Sequence, residues 1–396
     1  MIDGRPGVFT RTELWTAAGV VTLLAFFVFL AGCGRGSQDA TQPDSRRYAF
    51  ISNEGSNSVT VVDLRGFQVH RTVPVGASPT TVIASPNRNE VYVLNSGSAT
   101  LSFLNTISLQ IESAVAVGKS PSSVELSPDG NVAYVANSGS GNVIVIDLLG
   151  RKVLGAVPVG LNPESLKRTP DGKLLVVANR GDDTLSIIDL QRLLKIADVK
   201  VGRQPGPMAI LPDNSQVFVG NTGGDNVSAV DLKSFKLITH LESGMGPGDL
   251  ALKPDGGELF VTNFEAHSVT IVNTYADEVQ LNMPAGSNPR RAIVDSSGTI
   301  LYVSNFGSNA VSVIDINNRK VLASVSVGAQ PDRLMLTPDE DYLLALNRRS
   351  NDLAVVDTRT RSLFTLVPLG LAPRDLAIQS VPLPESRFRK AVPDAS

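Results

Sequence analysis

The side chains of this 396-residue chain with the most chemical potential stand just after prolines. Arg290 and Arg291 follow Pro289, Asp332 and Arg333 follow Pro331, and Arg374 and Asp375 follow Pro373. A second group lies in the same stretch: Phe264-Glu265-Ala266-His267, Phe306, and Arg348-Arg349. Guanidinium groups hold carboxylate or phosphate through paired hydrogen bonds, and phenyl rings pack against planar groups. The set therefore suits an anionic or planar ligand, or an acidic loop of a partner protein. A plainer reading stands beside it: ion pairs from Arg291 to Asp332 and from Arg333 to Asp375, worth about 0–1 kcal/mol each. For acid–base chemistry the loose candidates are Glu164, Asp249, His267 and Asp332. They are scattered, and no nucleophile accompanies a base. The three histidines, His70, His240 and His267, have no metal-ligand spacing. Cys33 is the only cysteine, which excludes an internal disulfide and a cysteine-based metal cluster. No metal and no cofactor are expected. With 35 basic against 38 acidic residues, the net charge of −3 leaves no basic excess for a nucleic-acid backbone.

The elements that must position these residues come from a repeat. An asparagine returns every 42 residues from Asn53 through Asn347, eight times. A glycine from Gly76 through Gly370 and a proline from Pro79 through Pro373 keep the same step. Three residue types in register over eight periods mark one supersecondary unit, stacked against its neighbours. Within one period, four runs rich in β-branched residues alternate with Gly, Pro, Asn or Asp, as in Ser122–Ser127, Val132–Asn137, Val143–Asp147 and Val153–Val159. No window has helical periodicity. Four short antiparallel strands per 42 residues describe a propeller blade. The fold expected is all-β: an eight-bladed β-propeller of four-stranded repeats over residues 48–380.

Strand counting sets the closure. If the proline-led strand is innermost, seven whole blades begin at Pro79 and every 42 residues to Pro331. Three orphan strands (48–76) and one orphan inner strand (373–380) then form an eighth blade from both ends of the chain, leaving no open edge between first and last. The repeating asparagine is expected to bond loop backbone. Asp63, Asp147, Asp189, Asp231, Asp315 and Asp357, with Asn105 and Asn273, are expected to form Asx turns. These roles are structural, because a catalytic residue has no reason to recur in every blade.

Tyr92-Val93-Leu94-Asn95, Tyr134-Val135-Ala136-Asn137 and Tyr302-Val303-Ser304-Asn305, with the Pro128-Asp129-Gly130 turn and the Val327-Gly328-Ala329-Gln330-Pro331 link, resemble the Tyr-Val-Thr-Asn repeat family of β-propellers. The resemblance covers residues 48 to about 380. It implies kinship with surface-layer and periplasmic propellers, and an outline shared with sugar-lactone hydrolases and with propeller subunits of amine dehydrogenases. The function this implies is a binding or protein-interaction scaffold. The alternative is an enzyme, either a lactonase-like hydrolase or a redox-associated propeller subunit.

At the start, Arg5 and Arg11 precede an apolar run from Ala17 to Ala31, about 15 residues long and short of the roughly 20 that span a bilayer. Leu30-Ala31-Gly32-Cys33 follows and resembles the lipobox of bacterial lipoproteins. The resemblance implies a signal peptide over 1–32 and acylation at Cys33. Several acyl chains anchor a protein lastingly, at about 0.8 kcal/mol per buried CH₂. Gly34 is not an acidic retention signal, so an outer-membrane or cell-surface address is expected. Residues 33–47 read as a polar tether and 381–396 as a disordered tail. The propeller is expected to be a monomer.

Overall fold

The computed structural model describes residues 45–382, and its strands run β1 to β32 along the chain, four to a blade. Eight four-stranded antiparallel sheets form the ring. Seven are sequential meanders, opening on the inner strands β4 (Pro79–Ala84), β8 (Pro121–Leu126), β12 (Pro163–Arg168), β16 (Pro205–Ile210), β20 (Pro247–Leu252), β24 (Pro289–Val294) and β28 (Pro331–Leu336). The eighth has the order β3 (Gln68–Pro74), β2 (Ser58–Asp63), β1 (Ser45–Asn53), β32 (Pro373–Pro382), so both ends of the chain build it. The eight-bladed ring with two-ended closure is thus present. Its clasp is longer than the sequence suggests, because Ser45 pairs with Pro382 and Arg47 with Ser380. Those residues belong to strands, not to the tether or the tail. The expected signal peptide, Cys33 and the tail beyond Pro382 lie outside the described residues.

Burial follows strand order. The two middle strands of each blade are buried on both faces, as in Leu343–Asn347 and Leu353–Val356, whereas outer strands such as β3 are exposed along most of their length. The apolar faces meet between blades. Tyr302, Val311, Val313 and Val325 pack on Leu334, Leu343, Ala345 and Val356 of the next blade. Each large side chain buried this way contributes about 1.5–3 kcal/mol.

The recurring polar residues are structural, with one difference from expectation. Asn179 donates to the hydroxyls of Thr184 and Ser186, and Asn53 to those of Ser58 and Thr60, so the partners are side chains at the start of the third strand. Backbone comes second: the Asn137 side-chain Oδ1 accepts the Gly118 amide at 2.9 Å. A Cβ at Gly118 would stand 2.5 Å from the Asn137 carboxamide carbon, which explains why glycine keeps the same 42-residue step. The Asx turns form as expected, for example Asp147 accepting from the amides of Leu149 and Gly150, and Asn105 from those of Ile107 and Ser108.

Candidate binding site at the channel mouth

Every inner strand begins with a register shift against its neighbour: Pro289 faces Asn305, yet Arg291 faces Ser304. The same bulge occurs at Pro331 and at Pro373. A bulge inserts one unpaired residue and re-aims the side chains beside it. It places the residues one and two after each proline in two stacked rings at the mouth of the central channel. Arg290, Asp332 and Arg374 belong to the first ring, and Asp249, Arg291, Arg333 and Asp375 to the second.

This staggering sets the ion pairs. Arg290 Nε lies 2.6 Å from Asp332 Oδ1, and Arg374 lies 3.5 Å from the other oxygen of the same carboxylate. Arg333 pairs with Asp375 at 2.9 Å, as the sequence led us to expect. The expected pair of Arg291 with Asp332 does not form. Arg291 sits in the second ring and pairs with Asp249 at 3.3 Å. All of these residues lie in the inner strands. Asp249 also accepts the Ala292 amide and Asp375 the Val82 amide, so each holds the backbone of the following blade.

Electrostatics follows burial. Asp332 is 4% exposed. Burial pushes its carboxyl up, but Arg290, Arg291 and Arg374 outweigh that and hold it below the ordinary value. Burial also works against the charge on Arg291, and Asp249, Asp332 and Asp375 overturn it, so the guanidinium stays protonated.

A cavity of about 770 Å³ fills the mouth. Arg290, Arg291, Arg333 and Arg374 line it, while Asp249 and Asp332 stand behind them and do not. The opposite wall carries Thr80, Ser122, Ser123, Glu125 and Ser165. Glu164 is tied to Arg180 at 2.9 Å, and burial raises the carboxyl of Glu125 despite Lys167 and Arg168.

The remaining candidates divide. Phe264 and Phe306 come together, with ring centroids 6.0 Å apart and Arg290 over both at 5.9 and 5.8 Å. Arg348 pairs across the blade boundary with Glu54 at 2.8 Å. His267 is held by the repeat itself. It has φ of 56° and its Nδ1 accepts the Asn288 amide at 2.9 Å, the bond that Asn57, Asp183, Asn309 and Asn351 make in their own blades. Of the acid–base candidates, then, Glu164, Asp249, His267 and Asp332 all have structural partners. No group of three or more His, Cys, Asp or Glu positioned to hold a metal occurs among the described residues. Sequence reading passed over Glu125; Arg349, singled out beside Arg348, stands where six of the eight repeats carry glycine and has no side-chain partner among the described residues.

The model of the YNCE-like beta-propellers matches residues 80–376. The chain belongs to that family. This YNCE-like propeller is also similar in fold to three solved structures. One is titled Kuenenia stuttgartiensis hydrazine synthase, at 24% identity and a TM-score of 0.57, covering 71% of this chain and 95% of that one. Another is titled dihydro-heme d1 dehydrogenase NirN in complex with DHE, at 14% identity and a TM-score of 0.71, covering 83% and 74%. The third is a functionally unknown protein from Desulfotomaculum acetoxidans DSM 771, at 16% identity and a TM-score of 0.59, covering 84% and 98%. No curated protein matches the sequence.

Proposed function

We propose that this propeller is a binding protein, lipid-anchored through Cys33 outside the cytoplasm, which takes an anionic group into its channel mouth. The observation that carries the reading is the lining of the 770 Å³ cavity: four arginines face it from three consecutive inner strands, with the carboxylates of Asp249 and Asp332 behind them. Asp249, Asp332 and Asp375 pair with these four, and Glu265 also borders the cavity, so the arginines are offset in charge and their value for a ligand lies in the hydrogen-bond donors they keep free. The arginine side chains are each 34–38% exposed, so their free N–H groups remain open to a carboxylate or phosphate. The engagement of Glu164, Asp249, His267 and Asp332 in structural bonds favours binding over catalysis. The ligand is a small anion or the acidic loop of a partner.

Titration calorimetry of the full-length chain with citrate and with inorganic phosphate tests this. Binding is expected, weakening as salt rises because partly exposed charges are screened within about 8 Å at physiological ionic strength. Absence of binding by both anions contradicts the reading. Anchorage is tested separately by mass spectrometry of the mature N-terminus, where an acylated Cys33 is expected; an unacylated chain starting elsewhere removes the anchor from the proposal.

A further inference from the structure

A second cavity, of about 480 Å³, lies on the rim of the same face and is lined by Phe264, Phe306, Asn309, Gln330 and Arg349 among others. It falls in the size range of small-molecule sites, which combine apolar walls with a few convergent polar groups. Its walls depart from the repeat. At the phase of Phe264 and Phe306 the other blades carry Glu54, Ser96, Ser138, Arg180, Thr222 and Arg348, so the two adjacent phenyl rings serve no common structural need. At the phase of Arg349, six blades carry glycine, and the packing shows why. A Cβ at Gly97 would come within 3.1 Å of Ala77. Arg349 occupies this tight position while keeping the repeat's backbone bond, its amide donating to the Ala329 carbonyl at 3.1 Å.

The polar groups of the groove are unspent. The Arg349 guanidinium is exposed and makes no ion pair or hydrogen bond among the described residues, unlike Arg290, Arg291, Arg333, Arg348 and Arg374. Gln330 donates its backbone amide to Asn309 Oδ1 at 3.0 Å, which leaves its own side-chain amide and the Asn309 amino group available. Arg290 lies over both phenyl rings and steadies them from the channel side. Two rings, one free guanidinium and two free amides thus share one groove.

We propose that this groove binds an aromatic ring carrying a carboxylate. The ring packs against Phe264 and Phe306 in edge or offset geometry. The carboxylate takes two parallel N–H bonds from Arg349, with the Gln330 and Asn309 amides as further donors. The site does not depend on an anion in the central cavity, although Phe264 borders both. The same chemistry belongs to a free aromatic acid and to the C-terminal phenylalanine of a peptide.

The test is titration of the full-length chain with phenylacetate, with acetate and benzyl alcohol as probes lacking the ring or the charge. Phenylacetate is expected to bind at least tenfold more tightly than either. Arg349→Gly installs the residue that most blades use, so the melting temperature should hold while phenylacetate affinity falls at least tenfold. Phe306→Ser, the residue at Ser96 and Ser138, should do the same. Lys236→Gln, on an exposed outer strand away from both cavities, should leave phenylacetate affinity intact. N-acetylphenylalanine separates the sources: affinity equal to phenylacetate points to a peptide terminus, and a tenfold loss to a free acid. Phenylacetate binding no better than acetate, or unchanged in Arg349→Gly, overturns the proposal even if citrate still enters the channel.

Discussion

The two halves of the channel mouth share one backbone and differ in nearly every exposed side chain. From β4 to β16 the residues after each proline are Thr80-Thr81, Ser122-Ser123, Glu164-Ser165 and Gly206-Pro207. From β20 to β32 they are Gly248-Asp249, Arg290-Arg291, Asp332-Arg333 and Arg374-Asp375, tied in three separate ion-paired groups. The bulge, the asparagine latch and the buried middle strands are common to both. Charge on one side therefore cannot be a requirement of the fold. It is a property added to a scaffold that stands without it.

The severest way to break the comparison is to remove what both halves share. Deleting residues 373–382 takes β32 from the composite blade and exposes the edge of β1. The truncated chain is expected to aggregate or to lose its cooperative melt; an unchanged melting temperature would show that the clasp does not hold the ring.

A more selective break separates the halves. Asp332→Asn removes the buried carboxylate between Arg290 and Arg374 and should destabilise the protein by about 2 kcal/mol at neutral pH, the scale of hydrogen bonds to charged groups. Ser122→Ala, in the other half, should change stability by less than about 0.5 kcal/mol. Equal effects on denaturant melts would mean that the arginine sector carries no special energy.

The smallest effect has the opposite sign on the two walls. The Asp332 carboxyl is held below its ordinary value, so its stabilisation is present above the unfolded value of about 3.9 and is lost as pH falls further. Burial raises the Glu125 carboxyl, so ionising it costs stability, and that cost grows as pH climbs from the unfolded value of about 4.3. Glu125→Gln should therefore raise the melting temperature slightly at pH 7, whereas Asp332→Asn lowers it. A fall in both variants would assign Glu125 a favourable partner.

The fold was legible because the repeat constrains itself. A glycine that must clear an asparagine side chain, as Gly118 clears Asn137, cannot drift, and counting strands between such fixed points yields the composite blade. The site was legible by position and less so by contact. Arg291 and Asp332 are neighbours in phase, but the bulge after each proline puts them in different rings, so Arg291 reaches Asp249 instead. One residue of bulge is invisible in a period of 42. His267 drew attention as a titratable side chain, yet its phase is an acceptor slot in four other blades. Arg349 shows the converse, since an arginine at a phase where six blades carry glycine has no side-chain partner among the described residues.

The central claim is that the charged half of the mouth receives an anion and the plain half does not. It is tested most directly by the citrate affinity of Arg333→Gln/Arg374→Gln measured beside that of Arg180→Gln. Arg180 lines the same cavity from the other side, paired with Glu164. The double variant keeps Arg290 on Asp332 and the Val82 amide on Asp375, so it should fold. The prediction is at least a tenfold loss of citrate affinity in the double variant and none in Arg180→Gln; equal affinity in all three proteins would contradict it.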